Sequence, residues 1–596
     1  MWRRSLLFLL GVSALMGMAG WGVEQGEARS GAGLDPSAAP MRALIERFTE
    51  DSAIFARAHP SAFDPQQRER RLGFLADWSA RLTEVDFDAL PADGRIDYLL
   101  LRDYLKFEGS DLDYQGQQIE QLGEWIPFAG RVVALESRRR AMTRVEGRWA
   151  AGELDALAEE VIDAKRALEA RLTEAGEISM ADRLAAHRSA RTTERMRETL
   201  GQFDRFHRGY DPEYDWWAGK SAEQCAAAME DYIRWLREKV AGIAEDERDG
   251  AVLGDPVGRE ALERMLRREW IPYTPEELLD VGWAEYRWCE QEMKQAAEQL
   301  GFGEDWKRAL DQVKALHEEP GNQPALIREL AEEAVRFLQE RELATIPPLC
   351  LETWRMEMMS PERQKVNPYF TGGEVISVSF PTEAMDYDDK LMSMRGNNRH
   401  FCRATVHHEL IPGHHLQLFM GKRYRAYRAP FRTPFFVEGW PLYWEMLLWD
   451  LGFAQSAEDR MGMLFWRTHR CARIVFSLSF HLGKMTADEA IDFLVEKVGH
   501  ERRNAVAEVR RSVIGSYEPL YQAAYMLGGL QIRALRGELV GPDRLTDKAF
   551  HDAMLREGAI PVELIRAMLS GEELKRESKP VWRFYGDPPK NAGPEK

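Results

Sequence analysis

The chain concentrates its histidines around Val406-His407-His408-Glu409-Leu410-Ile411-Pro412-Gly413-His414-His415-Leu416-Gln417. Of 13 histidines, five lie between positions 400 and 415: His400, His407, His408, His414 and His415. A His-Glu pair followed within two turns by another His carries the chemistry of the HExxH helix, where two imidazoles hold zinc and the carboxylate activates water. The spacing differs here, because the position four after His408 is Pro412, which cannot bind a metal. His408 and His414 are six apart, about 240° on an ideal helix, and would face different sides of it. Pro412 lacks an N–H and clashes with the carbonyl four residues back, while Gly413 tolerates unusual dihedrals. The Pro-Gly pair therefore predicts a widened turn or a break that re-aims His414 toward His408. His407 and His415 read as neighbours that support the ligands.

On both sides of this stretch the periodicity is helical. Patterns run from about His400 to Leu451, through 460–495, and through 519–536. Upstream, Ile96, Leu99, Leu100 and Leu105 share a helical phase, as do Leu154, Leu157, Val161, Ile162 and Leu168. Glu159, Glu160 and Asp163 set against Lys165 and Arg166 form a solvated outer face. The helical run stops at Ile346-Pro347-Pro348, and only Glu374–Phe380 alternates apolar and polar residues as a strand does. The expected fold class is mostly α with one small β-sheet. An N-terminal helical region is expected over 41–345 and a C-terminal catalytic region over 346–596.

A third metal ligand should come from a separate helix. Phe435-Phe436-Val437-Glu438-Gly439-Trp440-Pro441-Leu442-Tyr443-Trp444-Glu445 sets Glu438 in an apolar, aromatic segment. A buried carboxylate needs a partner, and a metal is one way to supply it. Glu445, seven residues on and on the same face, is placed to orient a ligand histidine from behind. Pro441 fits if the helix begins near Gly439, since proline suits a first turn.

The strings HExxPGHHLQ and EGWxLYxE resemble the bacterial domain-of-unknown-function family 885, over about residues 41–590. The likeness includes the Pro347–Pro348 region, Arg473 through His481, and Pro519–Tyr525 with Gly528. That family is similar to the gluzincin-type zinc metallopeptidases, in the style of the thimet-oligopeptidase and carboxypeptidase-Taq groups. The resemblance implies a large multi-helix zincin or neurolysin-like architecture with the small sheet beside an active-site cleft. It implies Zn²⁺ on His408, His414 and Glu438, with Glu409 as general base. Tyr525 and His481 become donors to the developing oxyanion. Tyr521, four residues before Tyr525, would face the same cleft, with Gln522 alongside, and both are assigned to substrate. The strand at 374–380 would pair with the substrate backbone. This sequence departs from the family pattern at Pro441, Ser477 and Leu520, and the last two bear on substrate range more than on metal binding.

Composition limits the partners. The chain has 596 residues with 80 Lys+Arg against 98 Asp+Glu, a formal charge of −18, which argues against nucleic acid as a partner. Hydrophobic residues at 44% and charged residues at 30% suit a globular protein with a sizeable core. Arg3 and Arg4 precede the 19 uncharged residues Ser5–Val23, with small residues for cleavage after Ala19 or Ala28. This reads as a signal peptide over 1–28, followed by a Gly/Pro-bearing linker over 29–40. An uncleaved anchor is the rival, weakened by Gly11, Gly17, Gly20 and Gly22 in the span. No stable membrane span is expected after cleavage, and the location is periplasmic or extracellular. Five cysteines more than fifty residues apart form no disulfide framework and no zinc ribbon. The function this supports is a zinc-dependent peptidase of the cell envelope acting on peptide substrates. The alternatives are a catalytically inactive metal- or peptide-binding protein of the same fold and, through the two-His, one-carboxylate set, a non-haem iron protein. Peptide specificity, chain-end preference and oligomeric state are not encoded legibly.

Overall fold

The helical phase of Leu154, Leu157, Val161 and Leu168 becomes one buried stripe of the 29-residue helix Gly147–Ala175. This helix packs on Pro212–Trp235, which in turn packs on Met180–His207, around a core of its own that includes Phe128, Val132 and Leu135. Asp211 caps Pro212–Trp235 by accepting from the Glu213 and Tyr214 amides, and Pro212 takes the first turn, where its missing N–H costs nothing. These features come from the computed structural model of the chain, which describes residues 41–588 apart from 61–62, 244–251, 361–362, 365–369, 384 and 516. The expected signal peptide and linker lie outside the described residues.

The largest core draws on distant parts of the sequence. Ile45, Trp78 and Leu99 meet Leu262, Trp270 and Leu278, and these meet Trp440, Trp444, Met526, Leu564 and Ile565. A third cluster lies along helices Pro275–Gln299 and Ala457–His481 and includes Met293, Leu464 and Phe476. All five cysteines are buried and free. Among the described residues no helix is long and apolar enough to cross a membrane.

The strand expected at 374–380 forms as β2 (Val375–Val378) and pairs in parallel with β1 (Arg355–Met358), Arg355 opposite Val375. Ile376 and Val378 are buried against Leu326, Leu330 and Val406, so the sheet leans on the histidine-bearing helix. The expectation that this strand offers its edge to a peptide is corrected here. β1 takes one edge, and on the other Thr371 and Ser377 exchange backbone hydrogen bonds of 3.3 and 2.8 Å. The molecule is thus mostly α-helical with a small two-stranded parallel sheet.

Candidate metal centre

The helical pattern from His400 onward breaks where the Pro-Gly pair predicts. Helix Arg399–Glu409 starts under the Asn398 side chain, which accepts from the His400 and Phe401 amides, and it ends at Glu409. A new helix, His414–Gly421, begins directly after Gly413. Between them the Gly413 amide donates to the His407 carbonyl at 3.0 Å and the His415 amide to Leu410 at 2.9 Å. The turn is so tight that a Cβ on Gly413 would lie 1.8 Å from the His408 carbonyl oxygen. Only glycine fits there, and the break rather than a widened helical turn brings His414 back over His408. Their rings sit 5.1 Å apart, nearly perpendicular at 80°. The Trp440 indole N–H holds the loop by donating to the Pro412 carbonyl at 2.8 Å.

Glu438 arrives from the junction between the short helix Pro434–Val437 and helix Gly439–Asp450. Its Oε2 lies 3.3 Å from His414 Nε2 and 4.0 Å from His408 Nε2. One ligand atom from each of His408, His414 and Glu438 falls within 4.8 Å of the others, a group able to hold a metal ion. The fit can be judged on unsatisfied atoms. Glu438 Oε2 is buried without a hydrogen-bond partner among the described residues, while Oε1 accepts from the Tyr521 hydroxyl. On the far side of His408, Nδ1 donates to Glu445 Oε1 at 2.6 Å. That bond fixes the proton on Nδ1 and leaves the Nε2 lone pair facing Glu438, which is the tautomer a ligand histidine needs. A buried carboxylate oxygen that accepts no hydrogen bond and lies between two imidazole nitrogens fits a divalent cation.

Charges in the metal-free site follow the same geometry. Burial works against the imidazolium of His414, yet Glu438 and Glu409 hold its pKa up at about 9. Burial likewise opposes the Glu438 carboxylate, but His414 and His408 bring it down to about 2. Burial together with His414 and Arg470 pushes His408 well below the usual imidazole value. Half-buried Glu409 is pushed up to about 7 by burial, with His414 opposing and Glu438 adding to the rise. A carboxylate poised near neutrality suits general base work.

The other residues singled out in the sequence are distributed unevenly. The Tyr525 ring lies nearly parallel to His408, centroids 6.2 Å apart, and Tyr521 meets Tyr525 edge-on at 5.8 Å. Both stand on helix Tyr521–Leu539, held against Gly439–Asp450 by glycine-on-glycine contact. A Cβ on Gly439 would come within 2.6 Å of the Gly528 backbone, and one on Gly528 within 1.9 Å of the Phe435 carbonyl oxygen. Gln522, in contrast, turns away and donates to Ser512 Oγ at 2.8 Å. His415 donates from Nε2 to the Cys350 carbonyl at 2.8 Å, pointing out of the triad. His407 packs edge-on to Phe453 at 5.7 Å, and burial lowers its pKa to about 3. His481 is buried at the end of helix Ala457–His481, and among the described residues no hydrogen bond or ion pair ties it to the triad.

Two arginines behind the site were given no role from the sequence, although Arg473 opens one of the segments that carry the family likeness. Arg470 and Arg473 lay their guanidinium carbons 4.8 and 4.6 Å from the Tyr525 ring centre. Arg470 Nη2 is 3.9 Å from Glu445 Oε1, and Arg473 Nε donates to Glu508 Oε1 at 2.6 Å. The available signal was two arginines three residues apart in a helix whose other positions are almost all buried. The segment before β2 was also missed as a neighbour of Glu409: the Gly373 amide donates to the Glu409 carbonyl at 3.2 Å.

Comparisons with known proteins agree with this architecture. A protein of unknown function from Shewanella oneidensis, described as a candidate lipoprotein, superposes with a TM-score of 0.60 at 17% identity, over 88% of this chain and 98% of its own. A candidate lipoprotein from Colwellia psychrerythraea gives 0.57 at 15% identity, over 90% of this chain and 99% of its own. At these identities the likeness shows the fold alone. No curated protein matches. The family described as bacterial protein of unknown function, DUF885, matches residues 54–569, most of the chain. The chain therefore belongs to the DUF885 family.

Proposed function

We propose that this protein is a zinc-dependent peptidase of the cell envelope, with a neurolysin-like helical architecture and its chemistry in residues 346–596. The observation that carries this reading is the buried Glu438 Oε2 set between the Nε2 atoms of His408 and His414, next in the chain fold to the half-buried carboxylate of Glu409. His408, His414 and Glu438 would hold the ion. When bound, zinc supplies the Lewis acidity that polarises a peptide carbonyl and acidifies water. Glu409 accepts the proton of the attacking water and returns it to the departing amine. Glu445 keeps the His408 proton on Nδ1. Tyr521 holds Glu438 by its second oxygen, so the carboxylate cannot rotate out of line. Tyr525 presents a hydroxyl toward the charge that builds on the carbonyl oxygen, with Arg470 and Arg473 against its ring.

Two histidines and one carboxylate would also hold iron, but a carboxylate directly following a ligand histidine favours hydrolysis. The description of the structural neighbours as candidate lipoproteins, with Arg3-Arg4 ahead of Ser5–Val23 here, supports export. The test pairs metal analysis of the protein purified without added metal with a peptide library read by mass spectrometry. Stoichiometric zinc and cleavage that Glu409→Gln abolishes while retaining metal would support the proposal. Stoichiometric iron, or no cleavage by the zinc-loaded protein, would overturn it.

A further inference from the structure

Two of the five cysteines meet. Cys289 Sγ and Cys471 Sγ lie 3.9 Å apart, and both side chains are completely buried. Among the described residues no other two cysteine sulfurs are in contact. Cys225 and Cys402 lie in other hydrophobic clusters, and Cys350 stands beside His415, whose ring donates to its carbonyl. The pairing follows from how two helices pack. Pro275–Gln299 and Ala457–His481 run antiparallel, with Gly282 against Ile474, Cys289 against Cys471 and Met293 against Thr468. Gly282 lets the backbones approach, since a Cβ there would lie 2.9 Å from Ile474 Cγ2. Cys289 follows seven residues later, two turns on along the same face, so it inherits this close approach. An S–S bond is about 2 Å long, so each sulfur needs to move only about 1 Å, which rotation about its own Cα–Cβ bond supplies.

Compartment decides what such a pair does. In a reducing cytosol it stays as two thiols, and in an oxidising envelope it closes. Arg3-Arg4 ahead of Ser5–Val23 supports export, so the inference rests on that part of the proposed function and not on its chemistry. We propose that the exported protein carries a single disulfide, Cys289–Cys471. The co-reactant is a protein or small-molecule disulfide of the envelope. One cysteine thiolate attacks a sulfur of that disulfide and expels the other sulfur as a thiolate. The second cysteine thiolate then attacks the first cysteine's sulfur in the mixed disulfide and expels the remaining thiolate of the oxidant. Two electrons pass to the oxidant, and the two protons lost by the cysteines end on its two thiols. Because both sulfurs are buried in the finished fold, closure takes place while the chain folds after translocation, and the finished bond is shielded from reductants. The bond closes a separation of 182 residues and ties Pro275–Gln299 to the helix that bears Arg470 and Arg473. It acts mainly by restricting the unfolded chain.

Alkylation of the full processed chain, isolated from a bacterial periplasm and unfolded in urea without reductant, tests this by mass spectrometry. Three alkylated cysteines are expected, with Cys289 and Cys471 in one cross-linked proteolytic fragment, and five after reduction. The same chain made in a reducing cytosol should show five throughout. Reductant should lower the urea midpoint of the periplasmic wild type by roughly half a molar and leave that of Cys289→Ala with Cys471→Ala where it was. Five alkylated cysteines in the periplasmic wild type, or a bond between any other pair, would overturn the proposal. Neither result involves metal or peptide cleavage, so a failure here is distinct from a failure of the peptidase reading.

Discussion

Replacing Glu445 by glutamine tests the wiring behind the candidate metal centre. The side chain keeps its shape, and its amide oxygen can still accept from His408 Nδ1, now at 2.6 Å from a carboxylate oxygen. What is lost is the charge on the acceptor. A hydrogen bond to a charged group contributes roughly 1.5–3 kcal/mol and a neutral one about 1, so about 0.5–2 kcal/mol of ligand basicity disappears. This corresponds to about two- to thirtyfold weaker metal binding, overlapping the range usual for groups that orient a ligand from behind. Glu445→Leu should cost more, because it leaves the buried Nδ1–H without an acceptor. Arg470 makes its one ion pair among the described residues with Glu445, at 3.9 Å, so both variants should also melt earlier in the metal-free state. Competition against a chromogenic chelator measures the affinity, and a metal-free thermal melt measures the second effect. Unchanged affinity in both variants would refute the idea that Glu445 acts on the metal through His408.

Alanine at His408, His414 or Glu438 should each release most of the metal, while His407→Ala and His415→Ala should retain it, measured by metal content after gel filtration. Tyr525→Phe should lower kcat and kcat/KM together by about 10²-fold and leave metal content alone, as for loss of one oxyanion donor. Metal affinity should rise with pH up to about 9, because the metal-free site holds a proton on His414 up to that value. Below it, each unit of pH should cost up to about tenfold in affinity, with one proton released per ion bound by calorimetry in buffers of different ionisation heat.

What was legible in the sequence is what local chemistry determines. Pro412 and Gly413 cannot continue a helix in this setting, so a break between His408 and His414 follows from the residues themselves. Glu438 and Glu445, seven apart, had to share a helix face, and a carboxylate in an aromatic segment had to find a partner. Tyr521 and Tyr525, four apart, both reach the site, but Gln522 stands 100° round the helix and serves the helix Arg502–Val513 instead. His481 lies about 12 Å along its helix from Arg473, too far to share a target with it. Arg470 and Arg473 were assigned no part in the site because burial of an arginine depends on which other helix lies over it, and no local pattern reports that. The partner of β2 was equally hidden, since parallel pairing joins segments separated by a long connection.

The glycine contact between Gly439 and Gly528 sets how the ion is captured. Glu438 and the two tyrosines ride on segments whose backbones touch, so they cannot drift apart without breaking the fold. With the Trp440 hydrogen bond tying the His408–His414 loop to the same helix, the three donors would be assembled before any ion arrives, unlike a zinc finger whose chain collapses around its metal. Loading becomes an exchange of one proton and a hydration shell for three fixed donors, with no conformational search. A chelator should accordingly strip the ion and leave the helices, their circular dichroism and their amide-exchange protection in place, and the stripped protein should be ready to reload at once.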